Sequence, residues 1–204
     1  MKKNYPDYYN DLDRVYSKIW ELLKSGSSNR DAPFHIPVFI YGEGKNFNGR
    51  TVVLRGANEK SKYLWFHTDV RSKKIKILKK NPQASFLFYD KKEKIQLSVS
   101  ANTKINYQNS VTKKAWEKTL HISRQCYLGE KTPGTDTLIP TSGLSENIDN
   151  FKYSIEESEV GYKNFCLIES FITSIEWLYI VPKGHRRAHF ILTDNSVEKK
   201  WIIP

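Results

Sequence analysis

Features that mark several classes of protein are scarce in this sequence of 204 residues, which contains two cysteines and one methionine. Cys126 and Cys166 have neither the spacing of metal ligands nor that of a disulfide framework, which excludes small zinc-binding and disulfide-rich secreted proteins. No apolar run approaches the roughly 18 residues that a membrane helix needs. The first six residues, Met-Lys-Lys-Asn-Tyr-Pro, lack the apolar core of a signal peptide. We therefore expect a cytoplasmic protein that does not engage a membrane.

Motifs of protein-borne catalysis are missing as well. The sequence has no glycine-rich phosphate loop, no G-x-S-x-G nucleophile motif and no convincing pair of acids. His185 and His189 lie four residues apart, but no glutamate or cysteine at suitable spacing accompanies them, so we predict no metal site. This pattern indicates that any chemistry is supplied by a bound cofactor rather than by side chains.

Positive charge is in excess over negative charge. The chain has 33 Lys and Arg against 22 Asp and Glu, a formal net charge of +11, with a pI near 9.5. Such a balance raises the possibility of a nucleic-acid partner. However, the basic residues are spread along the chain, and no helix-turn-helix, zinc or RNA-binding signature accompanies them. We therefore do not expect nucleic acid as the partner, and a basic nucleic-acid binder without a cofactor is kept as an alternative.

The hydrophobic pattern predicts one domain over residues 1–204. Residues 9–24 form an amphipathic helix with a stop at Gly26, and a polar connector follows to about residue 30. Later segments are rich in β-branched and aromatic residues and are bounded by turn residues. They predict strands over 37–41, 50–55, 62–68, 84–90, 94–105, 165–180, 188–192 and 199–203, with helices over 72–80 and 110–120.

This order of elements indicates a mainly β, α+β fold. Many short strands joined mostly by hairpins favour an antiparallel barrel with peripheral helices. A long irregular region is predicted over residues 123–161. Loops of that length in a compact domain usually bind a ligand or order a partner, so we expect one of these roles here.

The start of the helix at 72–80 carries charges of the wrong sign. Lys73 and Lys74 lie in its first turn, where the helix already has a partial positive charge and unpaired N–H groups. A bound dianion would make the arrangement favourable, and the hydroxyls of Thr68 and Ser72 add donors. We therefore predict a phosphate site for a phosphorylated cofactor. An ordinary basic helix surface is the alternative, which Lys76 on the same helix supports.

Three further positions are candidates for ligand contact. Gln96 shares a strand face with Ser98 and Ser100. This face is either a row of polar side chains in solvent or a covered surface on which the Gln96 amide hydrogen-bonds the edge of a heterocycle. The other two are Trp177 and the segment 184–189, Gly-His-Arg-Arg-Ala-His. Trp177 is either a core residue or an apolar wall for a ligand. The segment is either a basic turn between strands or the source of a charged partner for that ligand.

Together these residues resemble the pyridoxamine 5′-phosphate oxidases and their FMN-binding split-barrel relatives, from about residue 30 to the C-terminus. The markers are Arg50-Thr-Val-Val-Leu-Arg55, Phe66-His-Thr68, Ser72-Lys-Lys74 with Asn81-Pro82, Gln96, Trp177 with His185-Arg-Arg187, and the ending Trp201-Ile-Ile-Pro204. The sequence is more similar to the general-stress-protein-like branch than to the biosynthetic oxidase. The resemblance implies a homodimer of antiparallel split β-barrels with peripheral helices, which binds two FMN molecules at the subunit interface.

The resemblance also assigns site residues. The FMN-binding positions it implies are Arg50, Thr51, Val52, Val53, His67, Thr68, Lys73, Lys74, Gln96, Trp177 and Arg187. The substrate-binding positions are Arg55, Ser123, Arg124 and His185. Arg55 stands where the family uses a lysine, and the arginine of the family's Arg-x-His motif aligns with Lys183.

The function implied is that of an FMN-dependent oxidoreductase acting on pyridoxamine or pyridoxine 5′-phosphate. The flavin N5 would carry the chemistry, with no catalytic side chain, and the partners would be a second subunit and a small, phosphorylated substrate. One alternative is a flavin reductase of another substrate that uses NAD(P)H. Another is a non-catalytic flavin- or haem-binding protein, in which His67 or a late histidine ligates iron.

Overall fold

A computed structural model describes residues 6–182 and 184–204. These residues contain nine strands: β1 Val38–Glu43, β2 Asn46–Thr51, β3 Leu54–Asn58, β4 Tyr63–Asp69, β5 Gln83–Asp90, β6 Ile95–Asn106, β7 Phe165–Tyr179, β8 Arg186–Leu192 and β9 Val197–Ile202. The α-helices of the same ranges are α1 Leu12–Ser28, α2 Lys73–Lys80, α3 Ser110–Glu117, α4 His121–Arg124 and α5 Glu146–Asp149. Short 3-10 helices cover Pro33–His35, Gln125–Tyr127 and Glu157–Asn164.

The strands form one sheet in the order β2-β1-β5-β6-β7-β4-β3, and β8 joins β7 and β9 beside this path. Hairpin neighbours such as β1 and β2, β5 and β6, and β8 and β9 pair antiparallel. Strands β2 and β3 lie at the two ends of this order. Their described residues do not pair with one another, so the sheet is not closed. The predicted α+β class with an antiparallel sheet and attached helices is confirmed.

The chain divides into two compact units. The first unit comprises the chain up to Phe66 together with 81–104 and 169–204, and the second comprises 67–80 and 105–168. Aromatic side chains fill the core of the first unit, where Phe39 packs 4.8 Å from Phe66 and 5.0 Å from Phe86 between ring centroids. A smaller aromatic cluster forms the core of the second unit, made of Trp116, Tyr127 and Phe165.

Helix α1 differs at both ends from its predicted bounds. It begins after Asp11, whose carboxylate accepts hydrogen bonds from the backbone N–H groups of Asp13 and Arg14 and so caps the helix. The predicted stop at Gly26 is wrong, since the helix continues to Ser28. Gly26 instead allows close packing, because a Cβ there would lie 2.7 Å from the carbonyl carbon of Phe34.

The prediction of a single strand over 50–55 is also wrong. Arg50 belongs to β2 and lies opposite Phe39 of β1, whereas Arg55 belongs to β3, which pairs with β4. Between them, the backbone N–H of Val52 donates to the carbonyl of Pro37 at 3.0 Å. The chain therefore changes partner strands between the two arginines, so the faces they occupy are set by two separate pairings.

The region predicted to be irregular over 123–161 contains short helices at both ends. Residues 128–145 form no helix or strand, and Leu138 within them is fully exposed. In the part of the chain that the structure describes, no helix is both long and apolar enough to cross a membrane.

Candidate functional site

The start of α2 holds a buried polar cluster in the second unit. Lys74 is only 6% exposed. Its Nζ donates to Thr68 Oγ1 at 2.5 Å and to Ser72 Oγ at 3.1 Å. A hydroxyl that accepts a hydrogen bond from an ammonium group keeps its own proton for another acceptor. Lys74 therefore orients Thr68 and Ser72 as hydrogen-bond donors.

Lys73 has the opposite environment although it is the adjacent residue. The inward face of α2 is formed by Lys74, Ile75, Ile77 and Leu78, whereas Lys73 and Lys76 are exposed. The first turn contains no acidic residue. An exposed ammonium group at a helix N-terminus and two donor hydroxyls form a set that suits a phosphate group.

Asp69 and Arg71, between these residues in the chain, neutralise one another. The Asp69 carboxylate accepts the backbone N–H of Arg71 at 2.8 Å and a guanidinium N–H of Arg71 at 2.7 Å. The hydrogen bonds that the Asp69 carboxylate accepts raise the pKa of Arg71. Arg71 Nη1 also donates to the carbonyl of Gly129 at 2.9 Å. Arg71 thus ties the long loop to the start of α2 within the second unit, and its charge is already compensated.

Two more side chains of this unit complete the surroundings. The imidazole of His67 is half-buried, with its ring centroid 4.7 Å from that of Phe165 in an edge-on contact. Cys166 is fully buried, and burial raises the pKa of its thiol to about 12, against an opposing effect of the Lys74 charge. The cluster at the start of α2 is therefore built in a largely desolvated environment.

The predicted residues on β2 and its connection lie in the first unit. Arg50 and Thr51 are exposed at the end of β2, and Val52 and Val53 are half-buried in the connection to β3. Arg55 is exposed on β3. The structure thus presents Arg50 and Arg55 to solvent, as side chains on two different strands.

Gln96 lies on the half-buried face of β6. Ile95, Leu97 and Val99 are buried and alternate with the half-buried Gln96, Ser98 and Ser100, which confirms the predicted alternation. Gln96 is opposite Tyr89 of β5. Among the described residues its amide has no hydrogen-bond partner, so it is available to a ligand that covers this face.

Trp177 and Arg187 point to opposite faces of their hairpin. In the register of β7 and β8, Trp177 is opposite Ala188, while Arg187 is opposite Leu178. Trp177 is 0% exposed, and its indole Nε1 is buried without an acceptor among the described residues. Arg187 Nη2 donates to Glu176 at 2.8 Å, while its Nε is buried and has no acceptor in the part of the chain that the structure describes. The two residues therefore cannot face one ligand ring from the same side of one protomer's hairpin.

The four predicted substrate residues have very different exposures. Arg124 is 4% exposed, and its guanidinium stacks over Trp116, bonds the Trp116 carbonyl at 3.0 Å and pairs with Glu159. Ser123 is half-buried in α4, whereas His185 is exposed and its Nδ1 accepts the N–H of Val181 at 2.9 Å. Arg55 and His185 are accessible, Arg124 is committed to the interior of the second unit, and Lys183 lies outside the described residues.

Sequence reasoning missed Arg186 and its neighbours at the start of β8. Arg186 is opposite Tyr179, so it shares a sheet face with Trp177 and with Trp201 of β9. Its Nε donates to Asn10 Oδ1 at 3.1 Å. A signal was present in the run His185-Arg186-Arg187, but choosing between two adjacent arginines requires the strand register.

Comparison with known proteins identifies the family that this chain resembles. Residues 24–106, less than half of the chain, match the family model of the pyridoxamine 5′-phosphate oxidase FMN-binding domain. This range contains Arg50, Lys73 and Gln96. The resemblance predicted from the sequence is confirmed. No protein of curated function matches the sequence.

Solved structures establish the fold. A pyridoxamine 5′-phosphate oxidase-related, FMN-binding protein of Nostoc punctiforme is 17% identical with a TM-score of 0.73, over 92% of this chain and 96% of its own. PhzG of Burkholderia lata, solved in complex with tetrahydrophenazine-1-carboxylic acid, is 14% identical with a TM-score of 0.68, over 99% of this chain and 98% of its own. A protein of Clostridium acetobutylicum related to general stress protein 26 is 12% identical with a TM-score of 0.50, over 87% and 94% of the two chains. The fold is that of the FMN-binding split barrels.

Proposed function

We propose that this chain binds FMN and is an FMN-dependent oxidoreductase similar to pyridoxamine 5′-phosphate oxidase. The observation that carries the proposal is the cluster at the start of α2, where buried Lys74 orients the hydroxyls of Thr68 and Ser72 and Lys73 remains exposed. This cluster lies within the range that matches the FMN-binding family model. A phosphate monoester is an acceptor-rich dianion, and the cluster offers donors and positive charge.

The remaining FMN-binding assignments fit to different degrees. Arg50 is an exposed cation, and Gln96 is an amide without a partner on a half-buried sheet face, so both suit the polar parts of FMN. Trp177 and Arg187 each have a buried nitrogen donor for which residues 6–182 and 184–204 supply no acceptor. Because these two side chains leave the hairpin on opposite faces, the proposal gives them separate contacts.

Bound FMN would supply a hydride acceptor that dioxygen regenerates. This chain's own residues would bind and orient a small phosphorylated amine or alcohol such as pyridoxamine or pyridoxine 5′-phosphate. Arg55 and His185 are the accessible candidates for that role. Arg124 would instead stabilise the second unit, because protein acceptors occupy its Nε, Nη1 and Nη2 groups.

A homodimer is part of the proposal. The face of the sheet formed by Val38, Ile40 and Leu87 is half-buried in the single chain, and Phe47 beside it is 76% exposed. A cavity of about 410 Å³ opens on this face. A second copy of the chain would cover these apolar groups. Light scattering should give twice the mass of the chain, and Leu87→Glu should give a monomer; a wild-type monomer at micromolar concentration would contradict the dimer.

A cytoplasmic location is also part of the proposal. The two cysteines, Cys126 and Cys166, are free thiols. Reduced thiols are usual in the cytosol, where disulfides are rare.

The first experiment is an absorbance spectrum of the purified protein, followed by addition of pyridoxamine 5′-phosphate without oxygen. Flavin bands that bleach would support both the cofactor and the oxidase chemistry. Bands that bleach with NAD(P)H but not with pyridoxamine 5′-phosphate would replace the proposed substrate with that of a flavin reductase. Absence of flavin, even after FMN is supplied, would overturn the proposal.

Lys73→Ala tests the phosphate assignment separately. Removal of a charged hydrogen-bond donor costs about 1.5–3 kcal/mol, so FMN should bind roughly 10- to 100-fold more weakly. Lys76→Ala is the matched control, because Lys76 is an exposed lysine of the same helix. Titration of the flavin fluorescence measures both variants. Equal FMN affinity in Lys73→Ala and Lys76→Ala would show that the phosphate binds elsewhere.

A further inference from the structure

Asp69 and Arg71 lie within the segment that forms the cluster at the start of α2, between Thr68 and Ser72 in the chain. The proposed phosphate contacts involve neither of these two side chains. The Asp69 side chain is 8% exposed and that of Arg71 is 22% exposed. A buried carboxylate adjacent to Thr68 would repel a dianion bound there unless a cation compensates it. Arg71 supplies this compensating charge.

The guanidinium of Arg71 bonds to two parts of the chain at once. Its Nε and Nη2 donate to the two carboxylate oxygens of Asp69 at 3.0 and 2.7 Å. Its Nη1 donates to the carbonyl of Gly129 at 2.9 Å and to that of Glu130 at 3.4 Å. A planar guanidinium fixes the relative positions of the groups that it bridges, whereas an ammonium group on a flexible chain does not. Arg71 therefore holds residues 129–130 in a defined position against the start of α2.

Residues 128–145, called the 128–145 loop below, begin at this contact. They form no helix or strand, and residues 130–142 within them are exposed. The base of the loop is closed by the N–H of Glu130, which donates to the carbonyl of Gly143 at 3.4 Å, a long distance for such a bond. Because its side chains are exposed, the loop gains little from packing, and its position depends on the Arg71 anchor.

A second contact joins the same connection between β4 and α2 to the residue before the loop. The N–H of Val70 donates to the carbonyl of Asn164 at 2.9 Å, and Asn164 Nδ2 donates to the carbonyl of Tyr127 at 2.8 Å. A cavity of about 420 Å³ is lined by Asp69, Arg71 and residues of the 128–145 loop. The shape of this cavity therefore depends on the anchor at Arg71.

We propose that Arg71 is a positioning residue that couples the 128–145 loop to the phosphate site, so that the docked loop and a bound phosphate stabilise one another. Arg71 acts through Asp69 and the backbone of residues 68–72, without contacting the phosphate. The inference rests on the proposed function, because the phosphate is that of FMN. Coupling between two sites is reciprocal, so a loop that raises FMN affinity must itself be held more firmly when FMN is bound.

Titration with FMN and riboflavin tests the coupling, because riboflavin lacks only the phosphate. The wild type should bind FMN at least about tenfold more tightly than riboflavin, since the phosphate adds charge-assisted hydrogen bonds. Arg71→Gln should reduce this preference by about fivefold or more and leave riboflavin affinity unchanged. A merely structural defect would weaken both ligands alike.

Two further variants separate positioning from charge. Arg71→Lys keeps the charge but not the planar fork, so it should lose the preference for FMN to a similar extent as Arg71→Gln. Arg14→Gln is the matched control, because Arg14 is also paired with an aspartate, Asp7, but lies in the first unit. It should keep the wild-type preference.

Limited digestion with trypsin measures the reverse effect in the wild type. Lys131 is exposed in the 128–145 loop, two residues after Gly129, so cleavage after Lys131 reports release of the loop. At equal saturation, FMN should slow this cleavage about fivefold or more relative to riboflavin. In Arg71→Gln the cleavage should be equally fast with both flavins. Mass spectrometry of the fragments identifies the cut.

The outcomes distinguish this inference from the proposed function. A wild type that binds no flavin refutes both. A wild type that prefers FMN refutes the coupling alone if Arg71→Gln keeps the preference, or if Arg71→Lys restores it. Equal cleavage after Lys131 with FMN and with riboflavin also refutes the coupling, and this measurement holds even if the Arg71 variants do not fold.

Discussion

The start of α2 and the start of β8 each carry two adjacent basic residues, and in both places the structure separates their roles. Lys74 is buried and bonds to two hydroxyls, while Lys73 faces solvent. Arg187 is paired with Glu176, while the guanidinium of Arg186 bonds to Asn10 and to the carbonyl of His185 beside a cavity. Neighbouring charges of one sign therefore have different environments: at α2 one lysine supports the fold and the other faces solvent, and at β8 the two arginines have different partners.

Backbone geometry causes this separation in two different ways. Successive residues of a helix are about 100° apart around its axis, so Lys73 and Lys74 occupy the solvent and core sides of α2. Successive residues of a strand alternate between faces, so Arg186 and Arg187 leave β8 on opposite sides. Mutation of the buried Lys74 should therefore change stability, and mutation of the exposed Lys73 should change affinity for FMN.

Replacement of the supporting lysine should give the largest effect. Lys74→Ala deletes a buried side chain and leaves the Thr68 and Ser72 hydroxyls without their donor, so the free energy of unfolding should fall by about 3 kcal/mol. Lys73→Ala should change it by no more than about 0.5 kcal/mol, as is usual for exposed positions. Urea denaturation followed by tryptophan fluorescence measures both. Similar losses in the two variants would mean that the helix does not separate their roles.

The same pair shows how far sequence reasoning reaches. The helix at α2 and the alternation along β6 could be predicted because both depend on periodicity within one segment. The pairing of Lys74 with Thr68 could not, because it depends on how β4 runs into the helix. Lys73 and Lys74 could also be replaced together to test FMN binding. Because Lys74 is buried, that double variant would mix lost stability with lost affinity, and Lys73→Ala alone is the cleaner test.

Non-local register accounts for the incorrect or missed predictions. Arg50 and Arg55 were placed on one strand because the residues between them favour β structure, but the chain changes partner strands at Val52. Arg186 was missed for the same reason, since its face is set by pairing with Tyr179. Arg124 has a sequence context that suits substrate binding, and its burial against Trp116 is visible only in the folded chain.

The pH dependence of stability should sharpen the contrast between buried and exposed groups. Burial raises the pKa of Cys166 from 9.0 to about 12. Between these values the unfolded thiol loses its proton and the folded thiol keeps it, so stability is full below pH 9 and falls as pH rises. The slope from this group is about 1.4 kcal/mol per pH unit.

Denaturation of the wild type and Cys166→Ala at pH 8, 9 and 10 measures this contribution, and the slope should be smaller in the variant. The window ends near pH 10 because Tyr8 and the half-buried Tyr16 contribute above their ordinary pKa of 10.0, which desolvation raises in both. Cys126→Ala is the control, because this thiol is exposed. Equal slopes in all three proteins would show that Cys166 does not retain its proton in the folded state.

The smallest effect is expected at the pair of Glu176 and Arg187. Glu176→Gln removes the charge that pairs with Arg187, and both side chains are about one-third exposed, at 30% and 34%. Pairs of this exposure contribute roughly 0–1 kcal/mol, so the free energy of unfolding should fall by no more than about 1 kcal/mol. Urea denaturation of the wild type and Glu176→Gln measures the difference. A loss as large as that expected for Lys74→Ala would contradict the interpretation of Glu176 and Arg187 as a weak, partly exposed pair.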